Sequence, residues 1–166
     1  MLTQIQFARQ GLLTPHIRTV ASQEGLDPEW VRQRVAEGRI VIPCNPARPA
    51  QKVVGIGHGL RTKVNASIGT SSDICDVALE VRKARIAEAE GADTLMELSA
   101  GGDLDAIRRE VLSAVELPVG NVPLYQAFCE AARTHGDPNR LDVENRFDLI
   151  ERELSDCLSC MATHSA

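Results

Sequence analysis

The chain reads as an α/β protein: a partial (β/α)8 barrel of roughly three and a half βα units, preceded by a small helical region. Two observations predict this. From about residue 60, apolar strand-like runs alternate with amphipathic helix-like runs over short links, and parallel neighbouring strands need such crossover helices. The strand-end positions Ser67, Met96 and Tyr125 recur every 29 residues, with His164 a further 39 residues on. A βα unit of ~30 residues is the pitch of a barrel of ~250 residues. A doubly wound sheet is the alternative, but its G-x-G-x-x-G turn is missing. Gly55-Ile56-Gly57-His58-Gly59 resembles that turn, yet it precedes a strand instead of following one. The expected division is a helical and irregular region over 1–59 and the N-terminal half of a barrel over 60–166.

In chain order, Thr3 caps a helix over residues 4–10, which Gly11 ends. Thr14-Pro15 is a cap followed by proline at the first helical position, closed by Gly25; Asp27-Pro28 repeats the device up to Glu37. Ile40-Val41-Ile42 is a short strand stopped by Pro43, and residues 43–59 are a loop rich in proline and glycine. Thr62 to Ile68 is a strand, and Asp76 to Glu90 a helix with Val77, Val81 and Ala84 inward, joined by Ala87 or Ala89. Thr94 to Leu98 is the next strand, and Asp103 caps a helix whose Leu104, Ile107, Val111 and Leu112 share a face. Arg108-Arg109 on that helix is expected to face solvent. Pro118 to Leu124 is a third strand, followed by an insert around Thr134 to Arg140. Asp142 opens a helix with Val143, Phe147, Ile150 and Leu154 on one stripe, and Leu158 to Thr163 is a fourth strand.

Composition narrows the function. Among 166 residues, 23 acidic side chains outnumber 18 basic ones, which opposes a phosphate-backbone binder. Aromatic residues are 3%, too few for a base-stacking platform. No run approaches the ~20 apolar residues of a membrane span, and Met1 to Gln4 lacks a signal-peptide pattern. A cytoplasmic protein without nucleic-acid or membrane partners is therefore expected. Five cysteines, Cys44, Cys75, Cys129, Cys157 and Cys160, are an odd and scattered set, which suits reduced thiols. Cys157-x-x-Cys160 lacks both a second pair and the strand-to-helix context of a redox motif, so it is expected to be a pair of buried thiols.

Parallel α/β folds bind ligands at the C-terminal ends of their strands. The residues there are mainly hydroxyls, amides and glycines: Asn65, Ser67 and Gly69 toward the end of the first strand, Met96, Ser99 and Gly101-Gly102 at the second, Asn121 and Tyr125 at the third, and His164 at the fourth. Backbone N–H groups beside Gly69 or Gly101-Gly102 would suit a phosphate, and a tight βα turn explains the glycines equally well. Local pattern alone makes Met96 a core thioether, Tyr125 a polar-tipped packing residue, His164 a hydrogen-bonded core histidine, and Asn65 with Ser67 a polar layer inside a barrel. His16, His58 and His135 show no partner spacing and are expected at the surface.

At the same residues the sequence resembles the phosphomethylpyrimidine synthase family of thiamine biosynthesis. The likeness runs through Thr3-Gln4, Ala8-Arg9, Thr14-Pro15, Val35 to Pro43, Lys63 to Gly69, Gly91 to Ser99, Pro118 to Ala127 and Met161 to His164. It implies a (β/α)8-barrel radical S-adenosylmethionine lyase, usually a homodimer. Such an enzyme rearranges 5-aminoimidazole ribotide to the thiamine pyrimidine phosphate with a [4Fe-4S] cluster and zinc. Carried over by motif, the substrate-binding residues are Ser67, Met96, Tyr125 and His164, with Asn65, Ser99 and Asn121 as further pocket candidates. Three departures from the family pattern stand out. Ser67 stands for the usual Asn, Glu97-Leu98-Ser99-Ala100 for Asp-Leu-Ser-Thr, and Asn121 for Thr. These departures suit the paralogous 5-hydroxybenzimidazole synthase, which uses the same ribotide; the commoner thiamine branch is taken first. The family's cluster motif and metal-binding histidines are expected beyond this stretch, so no metal ligand is expected in it, and the stretch alone is not expected to be catalytically competent. A non-catalytic ligand-binding or interaction fragment, with an open edge strand, is the other alternative.

Overall fold

The computed structural model describes residues 2–137 and 159–160. The N-terminal helices form where their caps direct. In α1 (Gln4–Arg9) the Thr3 hydroxyl accepts from the Gln6 N–H at 3.3 Å, and the Gln6 side chain accepts from the Thr3 N–H at 2.8 Å. α2 (Pro15–Glu24) and α3 (Pro28–Ala36) each start at a proline behind a capping Thr14 or Asp27. These helices bury Ala8, Ile17, Val20, Val31 and Val35 with Ile40 and Ile42 in one apolar core.

The stretch expected as a loop, 43–59, contains a strand. β2 (Ile56–Gly57) pairs antiparallel with β1 (Ile40–Val41). Two residues are too few to show a period. Gly57 makes the pairing possible, because a Cβ there would lie 2.1 Å from the Arg39 carbonyl oxygen.

Beyond residue 60 come β3 (Asn65–Ile68), α4 (Val77–Ala89), β4 (Thr94–Glu97), α5 (Leu104–Ala114), β5 (Val119–Asn121), α6 (Pro123–His135) and β6 (Ser159–Cys160). The last four strands in chain order form one parallel sheet in the order β3-β4-β5-β6. Ala66, Leu95 and Val119 lie in register and pack with Ala84, Ile107 and Val111 from α4 and α5. Each fully buried Val, Leu or Ile among them contributes about 1.5–3 kcal/mol. Among the described residues the sheet is open, so the structure shows a mixed α/β fold and no closed barrel.

Three expectations need correction. The third strand ends at Asn121, and Pro123 begins α6 instead of extending the strand. Proline lacks an N–H and has its φ set, so it suits the first helical position, and Gly136 in the left-handed region closes the helix. Tyr125 is therefore in the first turn of a helix and not at a strand end. Arg108 does not face solvent: it is 2% exposed, while Arg109 is exposed as expected. His16 is half-buried, whereas His58 and His135 are exposed. Of the expected fourth strand, Ser159–Cys160 is described; the helix opened by Asp142, Cys157 and His164 lie outside the described residues.

The N-terminal core and the sheet are joined by Arg48. Its guanidinium donates to the carbonyls of Leu112 at 3.1 Å in the last turn of α5, and of Val115 at 2.7 Å and Leu117 at 3.1 Å just beyond it. A cation at a helix C-terminus also meets the negative end of the helix dipole.

Candidate functional site

Side chains alternate across each strand. Ala66 and Leu95 face the helices, so Asn65, Ser67, Thr94 and Met96 belong to the opposite, uncovered face. Asn65 and Ser67 are exposed there. The Thr94 hydroxyl donates to Asn65 Oδ1 at 2.9 Å. Ser67 is in register with Met96 and Met96 with Gly120, so the hydroxyl and the thioether stand side by side with a backbone-only position beyond them. Met96 is 9% exposed.

The other candidates are placed differently. Tyr125 is 44% exposed and borders a small crevice with Glu97, Arg108 and Gln126. Asn121 is in register with Glu97, and by the same alternation both belong to the helix-facing side, where both are buried. Ser99 is buried too. Its hydroxyl accepts from the Thr70 N–H at 3.0 Å and its own N–H donates to Glu97 Oε1 at 2.8 Å. Ser99 thereby ties the loop after β3 to the loop after β4.

The glycines serve close packing. A Cβ at Gly69 would lie 2.6 Å from the Leu98 carbonyl carbon, and one at Gly101 would lie 2.2 Å from Ser71 O. Two of the donors expected to suit a phosphate are engaged within the chain: the Gly69 N–H donates to Glu80 Oε2 at 2.8 Å, and the Gly101 N–H to Thr70 Oγ1 at 3.4 Å. The tight-turn explanation is the one these contacts support.

Beneath the strand ends lies a polar network that sequence reasoning passed over. Arg108 donates to Gln126 Oε1 at 3.0 Å and pairs with Asp105. Gln126 Nε2 donates to Asp105 Oδ1 at 3.1 Å and to Glu130 Oε1 at 3.0 Å. Burial pushes the Glu97 carboxyl above the usual carboxylate range, against the hydrogen bonds from Ser99 and the attraction of Arg108. Helical phase carries the missed signal: Glu80 is in step with Val77, Ala84 and Ala87, and Arg108 with Leu104, Ile107 and Val111. Among the described residues, no group of three or more His, Cys, Asp or Glu side chains is placed to hold a metal ion, and no helix is long and apolar enough to cross a membrane.

Parallel strands whose polar side chains gather at their C-terminal ends are the framework of α/β proteins that act on small molecules. Within that class the chain belongs to the radical SAM ThiC family, which it matches over residues 3–166. The 5-hydroxybenzimidazole synthase of Geobacter sulfurreducens is 66% identical over 164 residues, covering 99% of this chain and 38% of that protein. The enzyme of the same name from Desulforapulum autotrophicum is 65% identical, over 99% and 37%. Phosphomethylpyrimidine synthase 1 of Methanosarcina barkeri is 52% identical, over 99% and 38%. The chain thus spans about two-fifths of the length of these curated relatives.

Proposed function

We propose that this chain is the N-terminal, substrate-binding part of a radical S-adenosylmethionine enzyme that rearranges 5-aminoimidazole ribotide, with 5-hydroxybenzimidazole as the product. The observation that carries the product is the gap in identity, 62–66% to the benzimidazole synthases against 49–52% to the pyrimidine synthases. It outweighs the commonness of the thiamine branch, and the departures at Ser67, Glu97 and Asn121 agree with it. Conversion to the thiamine pyrimidine remains the second reading, supported by the same strand-end residues.

On this reading the described strands are the first part of a (β/α)8 barrel, and the uncovered face of β3 and β4 lines its interior. Ser67 and Met96 hold the substrate ring from adjacent strands, the serine with a shorter arm than asparagine. Tyr125 and His164 complete the polar contacts, and Asn65 lies deeper on the same face of β3, two residues before Ser67. Ser99 and Asn121 act from the buried side, setting the loop that follows β4 and the start of α6. A [4Fe-4S] cluster with S-adenosylmethionine supplies the initiating radical in the intact enzyme, and zinc is its second metal. The described residues include no group of three or more His, Cys, Asp or Glu side chains that could hold a metal. The intact protein is proposed to be a cytoplasmic homodimer.

The test uses the intact protein carrying this segment, reconstituted with iron, sulfide, reductant and S-adenosylmethionine and supplied with aminoimidazole ribotide. Mass spectrometry is expected to find 5-hydroxybenzimidazole. The pyrimidine phosphate would select the second reading, and neither product would refute the proposal. Calorimetry on folded Tyr125→Phe and His164→Ala variants is expected to show weakened ribotide binding, and unchanged binding would remove those assignments.

A further inference from the structure

Away from the strand ends, α1, the turn into α2 and the segment 42–53 line a half-open cavity of about 860 Å³. Its walls are mainly apolar, with Phe7, Leu12, Leu13, Ile42 and Val53 among them. Two reactive side chains interrupt that lining. Cys44 Sγ lies 3.4 Å from His16 Nε2, and both residues border the cavity and are half-buried. Asn45, next in the chain, is 7% exposed. Its Oδ1 accepts from the Ala47 N–H at 2.9 Å, while its Nδ2 has no hydrogen-bond partner among the described residues. Asn45 thereby fixes the turn that follows Cys44, and its Nδ2 is shielded from the cavity.

The other described thiols are engaged differently. Cys75 Sγ donates to Gly101 O and Cys129 Sγ to Ala100 O, each at 3.3 Å. A carbonyl accepts the S–H bond but cannot take the proton away. An imidazole nitrogen can, which is the pairing that activates cysteine nucleophiles.

We propose that this cavity is a second site, where Cys44, with His16 as its base, adds to an apolar small molecule bearing an α,β-unsaturated carbonyl. The thiol proton passes to His16 Nε2 as Sγ bonds to the β-carbon. The alkene π pair moves toward the carbonyl oxygen, and the α-carbon takes the proton from the imidazolium. The sum is addition of S–H across the double bond, with no leaving group and no oxidant. The apolar walls select the body of the ligand, and the thiol fixes its reactive end.

The experiment treats the full chain with limiting N-phenylmaleimide, with iodoacetamide in parallel, and follows each cysteine by peptide mapping and mass spectrometry. A base beside the thiol supports a rate advantage of at least ~10-fold for Cys44 over the more exposed Cys75. That preference is expected to shrink with iodoacetamide, which is small and polar. In His16→Gln the Cys44 rate is expected to fall ~10-fold while Cys75 is unchanged. Faster labelling of Cys75 in the unaltered chain, which needs no variant to fold, would overturn the proposal. So would an unchanged Cys44 rate in folded His16→Gln, or equal selectivity toward the two reagents.

Discussion

Replacing Gly69 by alanine tests whether close packing of the strand-end loops holds the site together. Gly69 has φ +156°, and its added Cβ would lie 2.6 Å from Leu98 C, 2.8 Å from Ser99 N and 2.9 Å from Leu98 O. All are backbone atoms, so no side chain can swing away. Overpacking of this kind costs about 1–3 kcal/mol, and the unfavourable φ adds about 1 kcal/mol. The total is about 2–4 kcal/mol. Gly91 supplies the control: its φ is +89° and nothing lies within 4 Å of its added Cβ, so Gly91→Ala carries only the backbone cost of about 1 kcal/mol. Urea denaturation followed by circular dichroism measures both variants. Gly69→Ala is expected to lower the midpoint more than Gly91→Ala, with a difference of about 1–3 kcal/mol at a common slope. Equal destabilisation would refute the argument that the loops after β3 and β4 are locked by backbone contact.

Other outcomes follow from the buried polar groups. Arg108→Ala is expected to cost about 2–4 kcal/mol by leaving Asp105 and Gln126 without their buried partner, whereas Arg109→Ala should stay within ~0.5 kcal/mol; denaturant titration separates them. Glu97 has its carboxyl pushed upward by burial, so the stability it contributes is full below the ordinary carboxylate range and is lost as pH rises through the raised value. Glu97→Gln should flatten that loss in melts taken across pH. Asp93 behaves oppositely. The Arg61 guanidinium, 2.5 Å away, holds its carboxyl below the usual range despite burial, and the Val64 N–H assists. Its contribution is present above the ordinary carboxylate range and lost as pH falls through the lowered value, so Asp93→Asn should weaken the fold near neutrality and reduce its further loss in acid.

Much of this architecture was legible because its signals are local. Thr3, Thr14, Asp27, Asp76 and Asp103 each accept a hydrogen bond from their helix's first turn. The 29-residue spacing of Ser67 and Met96 became a register pair in adjacent strands. What was hidden depends on contacts between distant segments. Nothing near Ile56-Gly57 announces a strand until Arg39 and Ile40 lie against it. Arg108 looked like a surface charge because residue type outweighed helical phase, and its partner Gln126 comes from α6. The segment beginning at Pro123 was misjudged for a simpler reason. Its apolar start continued the strand before it, although proline at the front and Gly136 at the back mark a helix.

The order of the strands bears on how such a protein is made. Ser67 pairs with Met96, and Leu95 with Val119, so among the described strands each pairing in the parallel sheet joins neighbours in sequence. Contacts of short sequence separation close at low entropic cost and form early. A ribosome delivers ~5–20 residues each second, so each βα unit can dock on the one before it within seconds of emerging. The exposed edge that travels with the growing sheet is then brief at every stage, and the next strand to be synthesised is the one that covers it.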